Sequence, residues 1–176
     1  GYIKARRIIH HYLADKLLNI QFIAIGDSVE KTEREIYHTN TTVIHNWIDV
    51  DKFEERTSPH LSADGTIELK FITVGKCLAE KRHRDVLALV KYLDDKGIAC
   101  QNIQIGTGPL EQQERQWAED NGIMHLLTFI SSTDEVGKYL AQSNFFLMPS
   151  TFEGVSIACL EAMAAGLFCI VNDAPG

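Results

Sequence analysis

The sequence contains no apolar run approaching the roughly 20 residues that a helix needs to cross a bilayer. Its start, GYIKARRIIHHYL, lacks the basic end, apolar core and small-residue cleavage site of a secretory signal. Both absences favour a soluble, cytoplasmic protein. Positive charge is also in short supply: 17 Lys and Arg stand against 24 Asp and Glu, a net of −7. That balance excludes a general field for nucleic acid or an anionic membrane, so an anionic ligand must be held by a local arrangement of donors. Cysteine is scarce. Cys77, Cys100, Cys159 and Cys169 form no CxxC pair, and each sits in or beside an apolar segment. They fit reduced packing residues, not a disulfide frame or a zinc site. The seven histidines show no HxxxH or HExxH spacing, and there is no GxSxG nucleophile motif.

What is present is the alternation of an α/β fold. From IELKFITVG onward, short apolar runs alternate with amphipathic segments, which predicts a parallel sheet wrapped by helices. Strands are expected at Lys70–Val74, Asn102–Ile105, Leu126–Phe129, Phe145–Met148 and Phe168–Val171. Helices are expected at Arg84–Lys96, Leu110–Asp120, Asp134–Gln142 and Ser156–Ala165, with Gly97, Gly122 and Gly166 placed where helices stop.

The first third reads differently: a helix over Ile3–Leu18, a strand in FIAIGDS, a helix over Val29–Tyr37 and an extended TTVIHNWIDVDKF. The polar, turn-rich EERTSPHLSADGT that follows is a natural connector. Residues 1–53 are therefore expected to be the closing part of one domain, too short for a sheet of their own. Residues 54–66 form a linker and residues 67–176 a second domain, incomplete at its end.

In an open parallel sheet, ligands bind beyond the carboxyl ends of the strands, where helix N-termini offer unpaired N–H groups and a positive dipole end. Three turns suit that. VGKCLAEKRHR carries Lys76, Lys81, Arg82 and Arg84 after Gly75, although Arg82, His83 and Arg84 also read as a solvated helix face. IGTGPLEQQE holds Gly106 and Gly108, and PSTFEGVS holds Gly154. Together they suggest a phosphate seat of backbone amides and lysines. FEGVSIACLEAMAAG then places Glu153 ahead of an apolar run and Glu161 inside it, eight positions apart (161 − 153). The neighbours of Glu161 at helical spacing are Ile157, Ala158, Ala164 and Ala165, so its carboxylate is expected to be buried and in want of donors, and sugar hydroxyls are good ones. Asp49 and Asp51 form a DxD pair, but apolar neighbours in an extended segment argue against a metal role.

These residues identify a resemblance. FEGVSIACLEAMAAG resembles the E-x7-E segment of GT-B glycosyltransferases of family four, the group 1 glycosyltransferases. VGKCLAEK resembles their V-G-R-x-x-x-x-K, IGTGPLEQQ their G-x-G-P turn, LTFISSTDEV their strand before a D-E helix, and VIHNWIDVDKF their N-G-[IV]-D...F segment. The resemblance implies a Rossmann-like donor domain and a retaining hexosyl transfer from a nucleotide-diphosphate sugar to a glycan or lipid-linked acceptor, in polysaccharide biosynthesis. No metal and no cofactor is implied. Lys76 and Lys81 would clamp the diphosphate, with N–H groups around Gly154 and Val155 assisting. Glu161 would accept from the ribose and Glu153 from the transferred sugar, while the nucleobase would rest near Ile130 and Ser131. Gly75 and Gly108 would line the site and Ser156 would cap the helix. Lys76 departs from the usual arginine. In this reading the chain holds the tail of a first domain and most of a second, is inactive alone, and meets the membrane only through the absent part of the first domain. The alternatives are a GT-B sugar-nucleotide epimerase or phosphorylase-like enzyme, or a non-catalytic nucleotide-binding module.

Overall fold

The computed structural model describes residues 2–53, 61, 65, 66 and 69–174. The chain divides into two units, one formed by the residues up to Trp47 together with Phe152–Ser156, the other by Ile48–Thr151 with Ile157–Ala174. The linker expected at 54–66 lies mostly outside the described residues.

The first unit holds α1 (Tyr2–Leu18), β1 (Phe22–Ala24), α2 (Asp27–Tyr37) and β2 (Thr41–Val43). Contrary to the expectation that this segment is too short for a sheet, β1 and β2 pair in parallel, Phe22 opposite Thr41 and Ala24 opposite Val43. The crossover helix α2 between them supplies the connection that a parallel pair requires. Arg7 on α1 is bound to the Glu33 carboxylate of α2 at 2.8 Å, and its guanidinium lies 4.2 Å from the Tyr37 ring centroid. His11 stacks on Phe22 at 4.8 Å. Within the same unit, Asn46 Nδ2 donates to the Val155 carbonyl at 2.8 Å.

The second unit contains β3 (Leu69–Val74), α3 (His83–Asp95), β4 (Cys100–Ile105), α4 (Glu111–Asp120), β5 (Leu127–Ile130), α5 (Val136–Ala141), β6 (Phe145–Met148), α6 (Ile157–Ala164) and β7 (Phe168–Val171). All five strands are parallel, in the order β5-β4-β3-β6-β7. β3, β5, β6 and β7 are mainly apolar, the pattern of strands in a sheet covered on both faces, whereas β4, CQNIQI, carries Gln101, Asn102 and Gln104. Phe71 and Leu147 point into one core with Val86, Leu87 and Val90 of α3 and Ala118 of α4. Their chain neighbours Ile72 and Phe146 point into the opposite core with Leu140 of α5 and Ala162 of α6. Alternation along a strand thus serves two cores. Gly97, Gly122 and Gly166, the expected helix stops, have φ of +70°, +71° and +73°.

Two expectations need correction. TTVIHNWIDVDKF is not extended throughout: Val50–Lys52 forms a 3-10 turn that delivers Phe53 to the core holding Ile72, where its ring packs against Gly137. The apolar run of α6 is not a buried helix either. Ala158, Ala162 and Ala165 form the stripe that meets the sheet, while Ile157 and Met163 are 48% and 61% exposed. An all-apolar helix still presents only one face to a single sheet.

The exits of β3 and β4 interlock. Gly75 N–H donates to Ile105 O at 2.9 Å, Cys77 N–H to Thr107 O at 3.0 Å, and Leu110 N–H to Cys77 O at 3.1 Å. A Cβ on Gly106, whose φ is +142°, would overlap the Gly75 carbonyl oxygen, and one on Gly108 would lie 2.5 Å from Cys77 O. Close backbone approach therefore demands both glycines. Gly106→Ala is expected to lower unfolding free energy by roughly 3 kcal/mol or more, since backbone on both sides must shift. An unchanged urea midpoint would contradict the interlock.

Candidate functional site

Because the strands are all parallel, their carboxyl ends share one edge of the sheet. The chain builds outward from β3 through β4 to β5, then returns to the other flank of β3 with β6 and β7. The order reverses between β3 and β6, and such a switch point is where open α/β sheets place ligands. The turn Gly75–Lys81 stands there. Its 3-10 segment Ala79–Lys81 is closed by Lys81 N–H on Leu78 O at 3.0 Å and tied to the end of β6 by Thr151 N–H on Glu80 O at 2.8 Å. The stem of Lys81 passes over Gly75, with Cδ and Cε 3.8 Å from where a Cβ would be. Lys76 is exposed on the same turn. The structure thus brings Gly75, Lys76, Lys81 and, through the interlocked loop, Gly108 together.

The expected seat of backbone amides is altered at two of its three turns. The N–H groups of Gly75 and Cys77 are committed to the β4 exit, and that of Gly106 to Ile130 O at 2.8 Å. An anion at these turns must be met by side-chain donors instead of those three amides. Gly106 and Gly108 are glycines because another backbone lies against them.

Beneath the turn lies a polar cluster that sequence reading missed. His83, expected on a solvated face, is 2% exposed, and Glu114 of α4 is 1% exposed. Gln104 Nε2 on β4 donates to Glu114 Oε2 at 2.7 Å and lies 3.2 Å from His83 Nδ1 and 3.5 Å from Cys77 Sγ. His83 Nδ1 is 3.4 Å from Glu114 Oε2. Burial by itself pushes the Glu114 carboxyl up, but the hydrogen bonds from His83 and Gln104 outweigh it and hold the group below its ordinary value. Burial, reinforced by the Glu114 carboxylate, pushes the Cys77 thiol up to about 12, so it stays protonated and points at Gly106 O. Cys77, His83 and Glu114 offer ligand atoms within 4.8 Å of one another. A cation there would have to displace the Gln104 amide and ionise a resistant thiol, which makes the cluster a hydrogen-bonded network. The available clue was three polar residues, His83, Gln104 and Glu114, at positions whose helical or strand phase faces the core.

Ile130 ends β5 half-buried and Ser131 follows it, exposed. Glu153, Gly154, Val155 and Ser156 lie in the segment between β6 and α6 that groups with the first unit. Glu161 sits in the second turn of α6, half-buried beside the Ala158/Ala162 stripe, and among the described residues no donor is recorded at its carboxylate. Loss of hydration raises its pKa. The folded state therefore binds its proton more tightly than the unfolded chain. The resulting penalty is absent below the unfolded value and complete above the folded one.

The chain was compared with known proteins. The family model described as Glycosyl transferases group 1 matches residues 61–176. The putative glycosyltransferase EpsF of Bacillus subtilis (strain 168) is 28% identical over 149 residues, which cover 80% of this chain and 37% of EpsF. A UDP-Gal:alpha-D-GlcNAc-diphosphoundecaprenol alpha-1,3-galactosyltransferase of Escherichia coli is 25% identical over 143 residues, 77% of this chain and 37% of that protein. The chain thus spans well under half the length of these curated relatives. Among solved structures, a mutant of S. aureus TarM in complex with fondaparinux, alpha-GlcNAc-glycerol and UDP superposes with a TM-score of 0.75 at 16% identity, covering 95% of this chain and 33% of TarM. That likeness shows the fold, a parallel sheet flanked by helices as in GT-B enzymes. With the family model matching well over half of its residues, the chain belongs to the group 1 glycosyl transferases.

Proposed function

We propose that the protein is a retaining glycosyltransferase of hexosyl type. It moves a sugar from a nucleoside-diphosphate donor to a glycan or lipid-linked acceptor in polysaccharide biosynthesis, and this chain supplies the donor-binding part. The observation that carries the reading is the family match over 61–176, which spans both the turn bearing Lys76 and Lys81 and the helix bearing Glu161. The E. coli relative, named for UDP-Gal and a diphosphoundecaprenol acceptor, supports that donor and acceptor chemistry.

In this reading Lys76 and Lys81 meet the diphosphate at the switch point, over a Gly75 that leaves the turn open, with Gly108 on the adjoining loop. As the glycosidic bond breaks, negative charge grows on the leaving diphosphate, and fixed cations aimed at it lower the barrier. The half-buried Glu161 carboxylate finds donors in ribose hydroxyls, and Glu153 takes those of the transferred sugar. Amides of Gly154 and Val155 add to the anion's donors, Ser156 caps α6, and the base rests near Ile130 and Ser131. No divalent cation is required, because the charge on the leaving group is met by lysines. The reaction takes place in the cytoplasm, with the acceptor delivered at the membrane face.

Calorimetric titration of the chain with UDP, GDP and ADP tests this. Lys81→Ala is expected to weaken the preferred nucleotide roughly 10- to 100-fold, the worth of a charge-assisted hydrogen bond. A chelator is expected to change nothing, so binding that vanishes with it refutes the metal-free reading. Glu161→Gln separates stability from binding. It is expected to raise unfolding free energy at neutral pH by roughly 1 kcal/mol by removing an under-solvated charge, while weakening the nucleotide. The gain should shrink as pH falls through the carboxylate range, where wild-type Glu161 is itself neutral. A stability loss in urea titrations at neutral pH would show that the carboxylate is already satisfied.

A further inference from the structure

The cysteines divide into two kinds. Cys77 and Cys100 are buried, and each directs its thiol at a backbone carbonyl, Cys77 at Gly106 O at 3.6 Å and Cys100 at Val90 O at 3.8 Å. Cys159 and Cys169 are half-buried and pack against one and the same core, the one that holds Ile72 and Phe146. Cys159 lies on α6 and Cys169 on β7, consecutive elements joined at Gly166, whose φ of +73° reverses the chain. The reversal lays the helix back along the strand, and the two side chains meet there: the Cys169 thiol is within hydrogen-bonding reach of the Cys159 sulfur. Cys169 Sγ also lies 3.7 Å from Leu167 O. Packing alone asks only for small apolar side chains at these positions. Two thiols in contact, neither sealed from water, can in addition react with each other.

We propose that Cys159 and Cys169 are a reversible redox site, which a peroxide converts to a disulfide that clamps α6 to β7. Burial first, and then the neighbouring Cys159, push the Cys169 thiol up to about 12, so the first attack falls to Cys159 and Cys169 is the resolving thiol. The Cys159 sulfur gives its proton to water and attacks one oxygen of hydrogen peroxide; the O–O bond breaks, hydroxide leaves, and Cys159 becomes a sulfenic acid. The Cys169 sulfur then attacks the Cys159 sulfur, the S–O bond breaks, and the departing hydroxide takes the Cys169 proton as water. In sum, two thiols and one hydrogen peroxide give a disulfide and two waters, each sulfur losing one electron and each peroxide oxygen gaining one. A small dithiol reverses the reaction by exchange. In a reducing compartment such a bond is transient and reports the oxidant. The clamped helix is the one that bears Glu161, but the chemistry of the pair does not depend on the donor-binding reading.

The test treats the folded 176-residue chain with hydrogen peroxide, blocks the remaining thiols with an alkylating reagent and cleaves the product after Glu161, which puts Cys159 and Cys169 on separate peptides. The expected result is the loss of two of the four thiols, a mass lower by two hydrogens, and one link joining the peptides of Cys159 and Cys169 within a single chain, with all four thiols recovered on adding a dithiol. Cys159→Ala and Cys169→Ala are each expected to form no internal link. The oxidised parent is expected to unfold at a higher urea concentration than the reduced one, since the link restricts the unfolded chain. The same treatment in denaturing urea is expected to scatter links among the four cysteines. Four thiols surviving the treatment of the folded chain would overturn the proposal. So would that scattered set obtained from the folded chain, links only between chains, or sulfinic acid at Cys159 with Cys169 untouched. Because the parent protein decides these outcomes, the proposal stays testable even where a variant does not fold.

Discussion

The backbone contact between the exits of β3 and β4 is the constraint on which the rest of the second unit depends. Gly75, Cys77 and Leu110 exchange hydrogen bonds with the neighbouring loop as if the ladder continued past the strands, and Gly106 and Gly108 make room for it. Extending the pairing beyond the sheet holds the Gly75–Lys81 turn in one place. Lys81 and His83 inherit their positions from it. A looser junction would leave Lys76 and Lys81 on a mobile loop, and ordering them would then cost binding energy.

Two carboxylates in this unit show how environment divides roles. Glu114 is almost wholly buried yet ionised, because Gln104 and His83 meet it with donors. It contributes stability that is present above the unfolded carboxylate value and is lost as pH falls through the folded one. Glu161 is less buried yet shifted the other way, since burial acts on it without compensation. A satisfied buried charge is part of the architecture. One that is partly stripped of water without a recorded partner fits a residue kept for a ligand, and in the proposed reading that ligand is a ribose.

Much of the fold could be read directly from the chain. Phe145–Met148 and Phe168–Val171 have the expected ends, and the remaining strands of the five-stranded sheet shift by one or two residues. Apolar runs bounded by glycine are hard to misread when both sheet faces are buried. Pairs distant in sequence were not readable. A strand in FIAIGDS and an extended start to TTVIHNWIDVDKF were expected, but β1 and β2 are three residues each, too short for a local pattern to reveal that they pair. The stretch RHR looked solvated because its neighbours are charged, yet the left-handed backbone of Arg82, at φ +52°, turns His83 inward while Arg82 and Arg84 stay outside. Its partner Glu114 is 31 residues away, and no local pattern links them.

The sequence alone determined the class of fold, the succession of strands and helices, and the motifs on the β3, β4 and β6 exits, because hydrophobic period, glycine position and residue chemistry are local properties. The tertiary structure decided which amides those turns have left to offer, that β3 and β6 meet at the reversal of strand order, and that His83 faces inward beside Glu114. Those outcomes depend on which strands become neighbours and on how closely two backbones approach, and both are settled only when distant segments pack.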